Sequence, residues 1–260
     1  MGVTPAGAQV WDLRDSPVNM GKWARAKQSL TLAAAHPSRT ARGIFRLPLE
    51  QDAAARIAAL PALELVELVP GGKNYDVTVG LQSARHSWSL GSSEQMILQI
   101  LLRGRGCTKV FEIGTFNGGT TRLLAESLPD GGKVWTIDLP PTEYDATQDP
   151  AGFTGADVGA AYLLSPAAAK VHQLRGNSLE FDFSEFEGLM DLVLVDGGHE
   201  YANGFSDSLT ALRLLRPGGV VVWDDFEPQW PGLVCGVCDA MGDHRLARLT
   251  KTPFAVYATL

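Results

Sequence analysis

The sequence predicts an α/β domain: a doubly wound, mostly parallel sheet of seven strands, closed by an antiparallel hairpin and preceded by an N-terminal extension. From about residue 91, short apolar runs of strand length alternate with stretches of helical period. The run at 191–195 is apolar after Asp191 and that at 220–223 is apolar throughout, as strands covered on both faces are. The last two runs are joined by a short turn, Thr250 to Pro253, so they pair antiparallel and reverse the final strand.

Each element has its own signal. Ser92-Ser93-Glu94-Gln95 is a serine-type helix start, and Met96, Ile97, Ile100 and Leu101 follow at helical spacing. Residues 109–113 form the first strand, and 120–128 a helix closed by the turn cluster Pro129-Asp130-Gly131-Gly132. Residues 133–137 form the second strand. The stretch 139–160, rich in Pro, Gly, Asp and Thr, reads as a long loop. A helix near 161–170 precedes a third strand at 171–174. After 191–195 comes a helix over 201–215, with Phe205, Leu209 and Leu212 on one stripe, ended by Arg216-Pro217-Gly218-Gly219. The strand 220–223, a helix near 232–241 and strands near 245–249 and 254–258 complete the order.

Charge divides the chain where the texture does. Residues 1–90 carry 10 basic and 7 acidic side chains; residues 91–260 carry 12 and 22. The first stretch has poor periodicity and recurrent prolines, so it reads as an extension for acceptor binding or oligomerisation, compatible with a homodimer. The second reads as the catalytic domain. The 260 residues have a formal charge of −7, which argues against nucleic acid as a partner. No apolar run approaches a membrane span, no secretory leader stands at Met1–Val10, and three cysteines make no disulfide framework. The expected location is cytoplasmic.

The turn after the first strand reads Phe111-Glu112-Ile113-Gly114-Thr115-Phe116-Asn117-Gly118-Gly119-Thr120. Gly114 lets the backbone turn and a ligand come close. Gly118, Gly119 and Thr120 stand where a helix begins, with free N–H groups and a dipole suited to an anionic group. A dinucleotide fingerprint needs glycine where Phe116 stands, which argues against NAD or FAD. Asp138 ends the second strand, where a carboxylate can accept both hydroxyls of a ribose.

These residues, with the closing hairpin, resemble the Rossmann-like class I S-adenosylmethionine-dependent methyltransferases over about residues 90–260. The opening at Ser92–Leu102 and 110–121 is similar to O-methyltransferases of the catechol and caffeoyl-CoA type. Leu194-Val195-Asp196-Gly197-Gly198-His199-Glu200-Tyr201 and Leu214 to Asp225 resemble metal-dependent sugar O-methyltransferases that tailor macrolides. The resemblance implies S-adenosylmethionine as cofactor. Glu112, Gly114, Thr115, Gly118 and Thr120 would surround its methionine part, Asp138 would hold the ribose, and Asn177 and Ser178 would lie by the adenine.

Asp196 ends one apolar strand and Asp224-Asp225 the next. Three acids at adjacent strand ends repel unless a proton or cation joins them. Oxygen ligands suit a hard cation, most often Mg²⁺, which can accept substrate hydroxyls in place of water. Neighbouring side chains on a strand point opposite ways, so Asp224 and Asp225 share an ion only if the backbone turns there. Histidine as a residue type suits the removal of a hydroxyl proton, and the macrolide-tailoring resemblance implies that role for His199. Tyr144, Phe226 and Trp230 fall in loops near the cleft and could line an acceptor pocket or simply pack. Cys235 and Cys238 read as small buried residues on one helix, since zinc would need two more ligands.

The expected activity is therefore methyl transfer to a hydroxyl of a small molecule: a sugar, phenol or natural product. Two other readings stand beside it. One is a nucleic-acid or protein methyltransferase, for which the Asn/Asp-Pro-Pro-aromatic motif is missing at Asp196-Gly-Gly-His199. The other is a non-catalytic cofactor-binding scaffold, against which the clustered charge argues.

Overall fold

The computed structural model describes residues 39–69, 71, 74–79, 90–144, 154–242 and 244–258. Its strands are β1 (Ala62–Leu63), β2 (Lys109–Ile113), β3 (Lys133–Asp138), β4 (Val171–Arg175), β5 (Met190–Val195), β6 (Leu215–Trp223), β7 (Ala247–Leu249) and β8 (Ala255–Ala258). Its longer helices are α1 (Arg39–Ala59), α2 (Ser92–Gly104), α3 (Gly119–Ser127), α4 (Tyr201–Leu214) and α5 (Pro231–Met241). The strands form one sheet in the order β1-β7-β8-β6-β5-β2-β3-β4. Only β8 runs against its neighbours, β6 and β7, as the closing hairpin requires.

Alternation along the strands sorts the core into two layers. Phe111, Ile113, Val193, Val195, Val221 and Trp223 face the layer that holds α4 and α5. Val110, Leu192, Leu194, Val220, Val222 and Val256 face the layer that holds α2 and α3. The central strands end level with one another: Ile113 pairs with both Ile137 and Val195, and Val195 pairs with Trp223. The next residues, Gly114, Asp138, Asp196 and Asp224, therefore leave the sheet along one edge.

Several elements differ from the sequence reading. The leading segment contributes α1 and an eighth strand: β1 adds parallel to β7, and Arg56 on α1 pairs with Asp239 on α5 at 2.7 Å. A strand of two residues offers no periodicity to detect. The helix expected near 161–170 is split into a turn at Ala160–Leu163 and a 3-10 helix at Pro166–Lys170. Pro166 has no N–H and disfavours helix at Ser165, whose hydroxyl instead caps Ala167 N–H at 3.1 Å. The loop after β3 carries short 3-10 helices at Pro141–Glu143 and Gly155–Asp157. Pro217-Gly218-Gly219 lies inside β6 and not beyond a helix end. There the pairing jumps from Met190–Leu215 to Leu192–Val220.

The stripe expected on α4 is also corrected. Phe205, Leu209 and Leu212 are only partly buried, and the buried face is Gly204, Asp207, Ser208, Thr210, Ala211 and Leu214. Gly204 stands on that face because α4 and α5 lie nearly in backbone contact, its Cβ position falling 2.7 Å from the Leu233 carbonyl oxygen. A Cβ on Gly236 would fall 2.5 Å from the Tyr201 carbonyl oxygen. Cys235 and Cys238 lie on α5 near α1, both half-buried, and Cys235 Sγ contacts Asp52 Oδ2 at 3.5 Å. Among the described residues no helix is long and apolar enough to cross a membrane.

Gly236→Ala should force the two helices apart. Overpacking of this kind costs about 1–3 kcal/mol, so Tm should fall by roughly 5 °C in thermal unfolding. An unchanged Tm would show that the helices do not meet there.

Candidate active site

The glycine turn is held from two sides. Gly114 has φ +100°, and a Cβ on it would lie 1.8 Å from the Asp196 carbonyl oxygen. Glycine is thus demanded by the neighbouring strand end as well as by the turn. From β3, Asp138 Oδ2 accepts the N–H groups of Thr115 and Phe116 at 2.9 and 2.7 Å. Its Oδ1 accepts Leu139 N–H at 2.7 Å and the Tyr144 hydroxyl at 2.5 Å. Gly118 caps α3 with φ +80°, and Thr120 stands in the first turn beyond it.

Glu112 points from β2 into the layer beneath the turn and is fully buried. Its Oε2 accepts the hydroxyls of Thr121 at 2.5 Å and Thr136 at 2.6 Å, while Oε1 has no hydrogen-bond partner. Because Thr136 donates to Glu112, Thr115 donates to Thr136 at 2.7 Å and Gln173 donates to Thr115 at 3.0 Å. Burial pushes the Glu112 carboxyl up to about 8, against the two threonine hydroxyls that favour its charge. A cationic or hydrogen-bonding group at Oε1 would relieve that penalty.

One oxygen from each of Asp196, Asp224 and Asp225 lies within 4.8 Å of the others. Asp225 takes a left-handed φ of +53°, which provides the backbone turn that lets adjacent aspartates face one point. Asp225 N–H is retained by Asp224 Oδ1 at 2.8 Å. Asp196 keeps some area open to solvent, yet its carboxyl is densely surrounded. Burial raises it well above the ordinary range, and Asp224, Glu112, Asp225 and Asp138 add to the rise. Burial and then Asp225 raise Asp224 as well. Glu94 and Glu227 contribute further negative charge. Among the described residues this is the one group of acids, histidines or cysteines placed to share a cation. An all-oxygen donor set suits Mg²⁺ or another hard divalent ion.

His199 follows on the turn after β5. Its Nε2 lies 2.9 Å from Asp225 Oδ2, and its ring stacks on Trp230 with centroids 4.0 Å apart and planes inclined by 15°. The carboxylate sets the tautomer: Nε2 carries the proton and Nδ1 keeps a lone pair. The structure therefore gathers His199, Asp196, Asp224 and Asp225, with Glu112, Gly114 and Asp138 along the same edge. Asn177 and Ser178 follow β4, where Asn177 Oδ1 accepts Leu179 N–H at 3.0 Å.

Of the aromatic candidates, Phe226 is packing, buried with its N–H on Pro253 O. Tyr144 and Trp230 touch site residues directly. Sequence reasoning missed the bond of Tyr144 to Asp138, the threonines on Glu112 and the buried Asp207, because each arises from residues brought together only by the sheet. Residues 85–88, Trp11 and Trp23, and 145–153 of the long loop lie outside the described residues.

Residues 111–226 match a family described as a methyltransferase domain. The chain is 25% identical over 155 residues to caffeoyl-CoA O-methyltransferase 2 of Zea mays, covering 58% of this chain and 55% of that protein. It is 25% identical over 168 residues to flavonoid 3',5'-methyltransferase of Vitis vinifera, covering 62% and 68%. The chain thus spans between about half and two thirds of the length of these relatives. Its fold is similar to that of the O-methyltransferase TomG from Streptomyces achromogenes, solved with SAM, at TM-score 0.51 and 22% identity, covering 70% of this chain and 92% of that one.

The raised carboxyls make stability depend on pH. Glu112, Asp196 and Asp224 hold protons in the folded chain that they lose near pH 4 when unfolded. Their contribution is full below that range and is lost as pH rises towards about 8, the folded value of Glu112. In chelator, Tm should fall between about pH 5 and 8, and added Mg²⁺ should raise Tm more at the upper end. Equal Mg²⁺ increments at both ends would contradict the acid cluster as the seat of the effect.

Proposed function

We propose that this chain is a class I methyltransferase that moves a methyl group from S-adenosylmethionine to a hydroxyl of a small acceptor, with a divalent cation and His199 as base, a reading supported by the match of residues 111–226 to a methyltransferase domain. The observation that carries this reading is the level ending of β2, β3, β5 and β6, which aligns Gly114, Asp138, Asp196 and Asp224 on one edge. When bound, S-adenosylmethionine supplies an electrophilic methyl on a sulfonium, and a cation such as Mg²⁺ supplies a Lewis acid that orients a hydroxyl and lowers its pKa.

The chain's own residues do the rest. Glu112 Oε1, buried and without a partner, suits the ammonium of the methionine part. Gly114, Thr115, Gly118 and Thr120 keep the turn close to that group. Asp138 Oδ1 accepts a ribose hydroxyl at the place where Tyr144 now bonds. Asn177 and Ser178 border the base. Asp196, Asp224 and Asp225 offer oxygen ligands, with Asp225 held by His199 through one oxygen and free to use the other. His199 Nδ1 takes the acceptor proton while Asp225 steadies the imidazolium that results. Holding oxygen, methyl carbon and sulfur in line provides most of the acceleration, since the displacement needs no covalent intermediate.

Phenols with adjacent oxygens are the first acceptors to try, since the relatives named above act on caffeoyl and flavonoid compounds. Sugars and other hydroxylated natural products suit the same chemistry. A panel of these with S-adenosylmethionine and Mg²⁺ should give a methylated product and S-adenosylhomocysteine by mass spectrometry. His199→Gln should lower kcat on the order of 10²-fold or more and leave cofactor Kd unchanged. Undiminished turnover in that variant would remove the base. Failure of the wild type to bind S-adenosylhomocysteine would remove the whole reading.

A further inference from the structure

Asp225 and Trp230 stand at the two ends of one short loop, and both hold the same imidazole, that of His199. Between them the backbone closes on itself. Glu227 N–H bonds to Asp225 O at 2.7 Å, and Trp230 N–H bonds to Glu227 O at 3.0 Å. Trp230 precedes Pro231 at the start of α5, and its carbonyl accepts Val234 N–H at 3.1 Å, so the indole is carried on a helix end. The same helix end presses on the backbone of His199. A Cβ on Gly232 would fall 2.9 Å from the His199 carbonyl oxygen and 3.0 Å from Tyr201 N.

The two contacts restrain different freedoms. The bond from His199 Nε2 to Asp225 Oδ2 at 2.9 Å fixes one point of the ring and leaves its plane to turn about that point. The χ2 torsion of histidine is broad and does not fix the plane by itself. The His199 side chain is 27% exposed, so close packing does not hold it on every side. The indole supplies the missing restraint. Its centroid lies 4.0 Å from that of the imidazole with the planes 15° apart, closer than the usual range of about 4.5–7 Å for aromatic pairs. The other stacked imidazole–indole pair among the described residues, His172 on Trp135, is spaced at 5.4 Å. Plane matters to a base, because its nitrogen must come within about 3 Å of the hydroxyl it serves, and an error of about 1 Å can cost on the order of 10²-fold.

We infer that Trp230 is a positioning residue for His199: it sets the plane of the imidazole while Asp225 sets its edge, so that Nδ1 is presented to the acceptor hydroxyl in one orientation. This rests on the reading of His199 as base and goes beyond it by naming what orients that base. Trp230 is then neither an acceptor contact nor plain packing. Its electron-rich face also suits the positive charge that the ring carries while it holds the acceptor proton.

Proton NMR of the full chain reads the stack without any turnover. The His199 ring signals, identified by their loss in His199→Gln, should lie upfield in the wild type, under the indole ring current, and move downfield in Trp230→Leu. Trp230→Phe keeps a smaller ring and decides the matter if leucine does not fold: part of the upfield shift should be lost. Ring signals that stay in place when the indole is removed would overturn the inference. With S-adenosylmethionine, Mg²⁺ and catechol, Trp230→Leu should lower kcat on the order of tenfold or more and leave the catechol KM and cofactor Kd unchanged. Trp230→Phe should restore most of that loss. In a His199→Gln background, Trp230→Leu should cost nothing further. A raised KM at intact kcat, or an equal loss in that background, would make Trp230 an acceptor contact and overturn the inference. Undiminished turnover in His199→Gln alone would remove the base reading instead.

Discussion

Four parallel strands stop at the same level, and the cleft is made of what comes next in each. Pairing of Ile113 with Ile137 and Val195, and of Val195 with Trp223, is enforced by ladder hydrogen bonds and by two apolar layers that a one-residue slip would invert. That register delivers three aspartates and a glycine to one edge. Charged carboxylates about 4 Å apart repel by about 4 kcal/mol per pair at the effective dielectric of a protein margin. The fold can hold Asp196, Asp224 and Asp225 together only with protons or a cation, and burial shifts Asp196 and Asp224 towards the protonated state when nothing else is present.

The glycine turn and the acid cluster are one construction. Asp196 N–H bonds to Ile113 O at 2.8 Å, and the Asp196 carbonyl occupies the space where a side chain on Gly114 would begin. Asp138 closes the other side by accepting two N–H groups of the same turn. A residue that would hold a ribose thus also holds the loop that would hold the methionine part. Loss of Asp138 would loosen both, so its effect on affinity reports the turn as well as the direct contact.

Much of this was legible in the sequence where the signal is local. The strand at 109–113, the turn after it and the apolar run before Asp196 announce themselves by composition and period. The shared orientation of Asp224 and Asp225 was not legible, because a left-handed φ at Asp225 is a property of the fold and not of aspartate. The face of α4 was misread for a related reason. Large side chains at helical spacing suggested a buried stripe, but the buried face is a different one, where the close approach of α5 leaves no room for a side chain at Gly204. The bond of Tyr144 to Asp138 joins residues that only the fold makes neighbours.

The central claim is that these strand ends form a seat for one divalent ion. Manganese binding to the full chain, followed by electron paramagnetic resonance near pH 8, tests it most directly. The account predicts a single saturable site that Asp196→Asn abolishes while the variant remains folded. Absence of saturable binding, or binding indifferent to Asp196→Asn, would contradict it.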